Sequence, residues 1–248
     1  ELVGVKYGVL APNGTLSLYL GLKALGIGNG DEVIVPNFSF YASASSVIMA
    51  GAKPVFAEVN FENLQVDVNQ IEKKITRKTK AIMPVHIYGM SCDMEKIMHL
   101  SKKYKLKIIE DAAQGIGLKF KGKHVGSFGD IGSFSFFADK TITTAEGGYL
   151  STNSEDVYKR LLFLRNQGRI DRGTFIHPEL GYNFRMNDIQ SSMGLAQLKK
   201  LDFIIKSKKQ NFALYNKNLK QEKVKIIKPI EGSTMVPFRI ALLFKDVF

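Results

Sequence analysis

Short apolar runs alternate with longer amphipathic stretches along the first half of the chain. Residues 32–36 (EVIVP), 52–59 (AKPVFAEV), 80–89 (KAIMPVHIYG) and 106–113 (LKIIEDAA) are rich in Val and Ile and bounded by Gly, Pro or Asp. They predict strands. Residues 43–51, 67–75 and 92–104 lie between them and predict helices. Strand–helix alternation, with runs apolar on both faces, predicts an α/β fold: a mostly parallel sheet flanked by helices. Past residue 117 the pattern changes. Residues 117–126, 131–137 and 147–153 are strand-like with few helices between. Residues 154–166 then predict a helix with Ser154 as its N-cap. Residues 186–220 predict one long helix, bent at Gly194, and the tail from Val224 predicts one or two strands of a further unit. Residues 15–22 (TLSLYLGL) are ambiguous: they alternate as a strand does, yet Leu16/Leu20 and Leu18/Leu22/Leu25 keep helical spacing.

Composition narrows the class without changing this picture. The chain has 248 residues, 45% apolar and 23% charged, which suits a globular protein with a real core. It contains no run of 18 apolar residues and no secretory leader pattern, so no membrane partner is expected. One cysteine, Cys92, excludes an internal disulfide and a multi-cysteine zinc site. It reads as a small core residue, and a reducing, cytoplasmic setting fits. The four histidines, His86, His99, His124 and His177, are scattered without ligand spacing, so no metal is expected.

The net charge of +12 raises the question of nucleic acid. Its distribution argues otherwise. Residues 199–228 hold ten lysines against Asp202 and Glu222, and no arginine. Arginine is the residue that reads base edges and grips phosphate bidentately. A solvated lysine face is the expectation, with no nucleic-acid partner.

Three segments carry candidate chemistry. Residues 108–115 (IIEDAAQG) deliver Asp111 at a strand's C-terminal end, where ligands sit in open parallel sheets. On this segment alone, a cap on the next helix is the commoner role for such a residue. Lys140 follows Phe136, Phe137 and Ala138 between two strand-like runs. Desolvation there would lower its pKa and make it an amine nucleophile toward an aldehyde; a surface loop lysine is the plain alternative. Residues 12–15 (PNGT) could open a helix whose first amides bind phosphate, or form an ordinary Asn-Gly turn. His86, at a strand end, could touch substrate or serve structure.

Taken in order, these blocks resemble one family. PNGT, PNFSFYAS (36–43), EDAAQ (110–114), SFSFFADKTITTAEGG (133–148) and LGYNFRMNDIQSSMGLAQL (180–198) occur in series, with GDEVIVP (30–36) and HIYG (86–89) between them. The chain is similar to the pyridoxal-phosphate-dependent sugar aminotransferases of the DegT/StrS type, within fold-type I, from about residue 5 to residue 240. The resemblance implies that Lys140 forms a Schiff base with the cofactor aldehyde and that Asp111 pairs with the pyridinium nitrogen. It also implies that Gln114 lies near the ring hydroxyl. Gly14, Thr15 and Ser135 would hold the phosphate, and Phe40 would pack on the ring face. Asn183 would reach the phosphate of a neighbouring subunit, giving a homodimer with shared sites. The stretch after Thr15 becomes a helix by the same resemblance. Lysine rather than histidine at position 140 implies transamination rather than dehydration.

The implied substrates are L-glutamate and a nucleotide-linked keto-deoxy sugar, with a lean toward 4-keto-6-deoxyhexoses of the perosamine type for polysaccharide biosynthesis. Two departures stand out. Ala145 occupies a position where the family often has glycine. The chain also begins at Glu1 and stops near the small C-terminal α/β domain's first strands, so a fragment is expected: residues 1–200 as the large cofactor-binding domain, and 201–248 as a linker helix with the start of the small one. That leaves an inactive or regulatory cofactor-binding homologue as the alternative.

Overall fold

A computed structural model describes residues 1–170, 173, 175–219 and 224–244. The chain enters with β1 (Tyr7–Ala11) and α1 (Gly14–Ala24), then alternates β2 (Glu32–Pro36), α2 (Tyr41–Met49), β3 (Lys53–Ala57), α3 (Val68–Lys73) and β4 (Thr79–Ile82). Next come α4 (Met94–Tyr104), β5 (Lys107–Asp111), the short hairpin β6 (Lys119–Phe120) and β7 (Lys123–His124), then β8 (Ile131–Ser135) and β9 (Gly148–Thr152). The last elements are α5 (Glu155–Arg165), α6 (Asp188–Leu198), α7 (Leu201–Asn218), β10 (Val224–Ile226) and β11 (Leu242–Phe244).

Seven strands form one sheet in the order β1-β9-β8-β5-β4-β2-β3. Strands β8, β5, β4, β2 and β3 pair in parallel, while β9 runs antiparallel between β1 and β8. The mostly parallel sheet is therefore as expected. Its inner strands are buried on both faces, and the two faces read off in alternation. Val33, Val35 and Ile109 join Leu18, Leu20 and Leu22 of α1 on one side. Ile34, Ile82 and Ile108 join Ile71 of α3 and Ile97 and Leu100 of α4 on the other.

The ambiguous segment is helical. Asn13 caps it, its side-chain oxygen accepting from the Leu16 amide at 2.9 Å. Its pattern misleads because Ser17, Leu18, Leu20, Gly21 and Leu22 are all buried. A helix enclosed on several sides carries no narrow apolar stripe. Ser154 caps α5 as predicted, through the Val157 amide.

Three sequence expectations need correction. The run 80–89 is a strand only to Ile82; Pro84 follows, with no amide to give a ladder. The long helix is two helices, α6 and α7, parted at Lys199–Lys200 rather than bent at Gly194. Gly194 sits inside α6, where an added Cβ would lie 3.0 Å from Thr144, so its smallness serves close packing. The predicted helix end at Lys220 lies outside the described residues. Third, β1 has no counterpart in the predicted elements. It is an edge strand, too short and mixed to stand out (YGVLA). The tail strands do form, β10 pairing with β11 in a separate sheet.

Between β8 and β9 the Lys140 loop turns through Ala145 at φ 64°. An L-residue in that left-handed region is strained, by about 1 kcal/mol. That explains why glycine suits the position. Ala145→Gly is expected to raise stability by about 0.5–1 kcal/mol, read from urea unfolding midpoints at unchanged m-value.

Candidate active site

The C-terminal ends of the neighbouring parallel strands β5 and β8, at Asp111 and Ser135, open into a cavity of about 570 Å³. Seven of the eight predicted cofactor residues line it. Gly14, Thr15 and Ser135 form one end. Asp111, Gln114, Lys140 and Phe40 also line it.

Asp111 ends β5 and is almost wholly buried. Its Oδ2 accepts from Ser43 Oγ at 2.7 Å, and its Oδ1 accepts from the Ala113 amide at 3.1 Å. Ser43 sits on α2 and lies 2.7 Å from Ser39 Oγ, so a short hydroxyl relay backs the carboxylate. Burial raises the Asp111 pKa above the usual carboxylate range, against the opposing pull of Ser43, Ala113 and Lys140.

Lys140 is half-buried, its Nζ 4.7 Å above the ring of Phe238. Burial lowers its pKa, while Asp139 and Asp111 pull it back up. Gln114 accepts the Tyr88 amide at its Oε1 (2.6 Å), which leaves its Nε2 end as the donor. Tyr88 adopts a positive φ of 56°, the kink that aims this amide. At the α1 end, the amides of Gly14 and Thr15 precede the first intrahelical acceptor. A Cβ on Gly14 would lie 2.8 Å from that of Ser135, so only glycine lets the two elements meet. Phe40 is largely exposed within the cavity mouth.

Asn183 is the exception. It is exposed, bridges to Asn166 across the chain, accepts from Arg185 Nε at 2.9 Å, and does not line this cavity. His86 also departs from one expectation. Its neighbours Val85 and Ile87 line the cavity, but its own ring points to the other face, to Glu110 and the Cys92 amide. The structural reading of His86 is the right one.

Several residues of the site went unpredicted. Ser43, which supports Asp111 without lining the cavity, was legible only as part of FYAS. Phe238 and Arg239 arrive from the far end of the chain, laced to the 88–89 turn by the Val236 and Phe238 amides. Arg239 pairs with Asp139 at 2.9 Å, next to Lys140. No local pattern in the tail announces this. Among the described residues no group of metal-ligating side chains occurs, and no helix is long and apolar enough to cross a membrane.

The donor set fits pyridoxal phosphate. A helix N-terminus with Ser135 suits a phosphate. A buried carboxylate suits a ring cation, and a desolvated amine suits an aldehyde. The cradle is tight enough that a methyl group on Gly14 would fill it.

Comparison with known proteins agrees. The pattern of the DegT/DnrJ/EryC1/StrS aminotransferase family matches residues 1–246. The GDP-perosamine synthase of Escherichia coli O157:H7 is 48% identical over 215 residues, covering 87% of this chain and 59% of that protein. The GDP-perosamine synthase of Vibrio cholerae is 42% identical over 233 residues, 94% of this chain and 64% of that one. Among solved structures, S. venezuelae DesV in complex with a ketimine intermediate superposes with a TM-score of 0.93 at 29% identity, covering 99% of this chain and 66% of that one. The chain thus spans about three fifths of the length of the curated relatives it matches.

Lys140 is expected to lose its proton at lower pH than the protein's solvated lysines, because burial disfavours its charged form. Competitive acylation of the cofactor-free protein, followed by peptide mapping across a pH series, checks this. Lys140 labelling should reach half-maximum below the ordinary lysine value of 10.5.

Proposed function

The chain belongs to the DegT/DnrJ/EryC1/StrS aminotransferase family, and we propose that it forms the cofactor-binding part of a nucleotide-sugar aminotransferase. The reaction moves an amino group from L-glutamate to a nucleotide-linked 4-keto-6-deoxyhexose. The observation that carries this reading is the meeting of the Lys140 amine and the buried Asp111 carboxylate in one cavity capped by the α1 N-terminus. The two GDP-perosamine synthases favour a nucleoside-diphosphate sugar as acceptor. A cytoplasmic setting suits such chemistry.

Pyridoxal phosphate supplies an aldehyde and an electron-accepting ring. The chain's residues supply the rest. Asp111 would keep a proton on the ring nitrogen, its direction fixed by the Ser43 hydroxyl. Gly14, Thr15 and Ser135 would hold the phosphate, the Gln114 amide would bind the ring hydroxyl and Phe40 would cover a ring face. Lys140 Nζ would hold the cofactor through its aldehyde and, when free, would serve as the acid–base that moves the proton at the reacting carbon. Phe238 and the segment carrying it would shield that proton transfer from water.

Asn183 belongs in this reading to a second copy of the chain. Helix α6, directly after it, has no buried residue, although it carries Ile189, Met193, Leu195 and Leu198. Ile176, Leu180 and Phe203 are also exposed. An apolar surface of this extent marks an interface, and a two-fold homodimer would cover it and bring Asn183 to the partner's phosphate site.

Two outcomes test the reading. Borohydride reduction of the cofactor-loaded protein should place a pyridoxyl group on Lys140 in peptide maps, and Lys140→Arg should take none. For the shared site, Lys140→Ala and Asn183→Ala proteins, each weak alone, should regain activity when mixed. Hybrid dimers put both lesions in one site and leave the other intact. A monomer by light scattering would refute the shared site.

A further inference from the structure

Glu110 precedes Asp111 on β5 and faces the opposite side of the sheet, the side of Ile108 and α4. It is fully buried and touches nothing in the cavity. A buried charge of this kind is costly unless its lone pairs are filled. Here all four are. Oε1 accepts the amides of Phe128 and Gly129 at 2.7 and 2.8 Å. Oε2 accepts the Gly126 amide at 2.7 Å and lies 3.1 Å from His86 Nε2. Because His86 Nδ1 accepts the Cys92 amide at 3.2 Å, the ring proton sits on Nε2 and is donated to Glu110.

The partners bracket the cavity. His86 follows β4, and residues 126–129 lead into β8, the strand that ends at Ser135. Both flanking strands pair with β5. His86 grips both neighbouring residues: its ring holds Glu110, and its backbone amide donates to the Asp111 carbonyl at 3.0 Å. The Asp111 amide in turn donates to Pro84 O at 2.8 Å.

We propose that Glu110 and His86 are positioning residues: a buried clamp behind β5 that sets the spacing of the three strand ends and so fixes where Asp111 stands. Its bearing on catalysis rests on the aminotransferase reading; the clamp itself does not.

The test uses the intact protein without cofactor. The Ala113 amide is bound to Asp111 Oδ1, so its hydrogen exchange reports the position of that carboxylate. His86→Asn keeps an acceptor for Cys92 but is too short to bring its amide N–H to Glu110, whereas His86→Gln places an N–H donor there. Glu110→Gln turns one accepting oxygen into a donor facing donors. Ala113 exchange should quicken about tenfold in His86→Asn and Glu110→Gln, the low end of the affinity loss that follows removal of a partner behind a metal-holding side chain. It should stay near wild type in His86→Gln. Core amides of β2 and β9 should not follow. Affinity for pyridoxal phosphate, read by absorbance titration, should fall in the same two variants. If Glu110→Gln does not fold, the two His86 variants decide. Ala113 exchange that is unmoved, or that moves only in step with the core amides, overturns the proposal, as do equal affinities for the two His86 variants. A wild type that binds no pyridoxal phosphate would refute the aminotransferase reading and leave the Ala113 comparison standing.

Discussion

Burying a carboxylate at the end of a central strand is the constraint on which the rest of the site depends. Asp111 sits where water is scarce, and its charge is opposed by burial. The fold answers with a hydroxyl from α2, an amide from its own turn and the field of Lys140. The α2 hydroxyl reaches the end of β5 from a small, buried side chain: Ser43 is almost wholly enclosed, and Ser46 behind it donates to the Ser43 carbonyl. Glycine at position 14 lets α1 approach Ser135 in the same way. Side-chain size is sacrificed along this side of the sheet so that polar groups can converge.

The remaining wall of the cavity comes from afar. Phe238 lies nearly a hundred residues beyond Lys140, yet its backbone is stitched to the turn at Tyr88. The same turn gives its amide to Gln114. One kinked turn therefore orients a cavity-lining side chain and anchors the segment that carries Phe238 over the Lys140 amine. Gly89 shows how tight this joint is: a Cβ there would meet the Val236 carbonyl.

Legibility followed this division. Strands β2, β3, β5, β8 and β9 are dense in apolar residues bounded by breakers, and local pattern suffices for them. The ordered blocks around Lys140 and Asp111 were legible through family resemblance, since each alone admits a plain structural reading. What escaped was non-local. The helical state of residues 15–22 depends on burial from several sides, and β1 depends on pairing with β9. The break at Lys199–Lys200 has neither Gly nor Pro to mark it. His86 shows the limit well. Its position at a strand end is legible, but which face its ring takes is set by Glu110, one residue from Asp111.

Lys140 and Asp111 share one further property. Burial pushes both toward their neutral forms, lysine downward and aspartate upward, while their mutual attraction pushes both back. Without a ligand, burial prevails for both. A ring cation placed against Asp111 reverses its balance by supplying the charge that burial withholds, and the amine needs no proton to meet an aldehyde. The cavity is thus poised for a ligand that is cationic at one end and electrophilic at the other, with an anionic group at the α1 end. Occupancy by such a ligand would shift the ionisation of both groups, since the charge it brings acts against the burial that holds them toward neutrality.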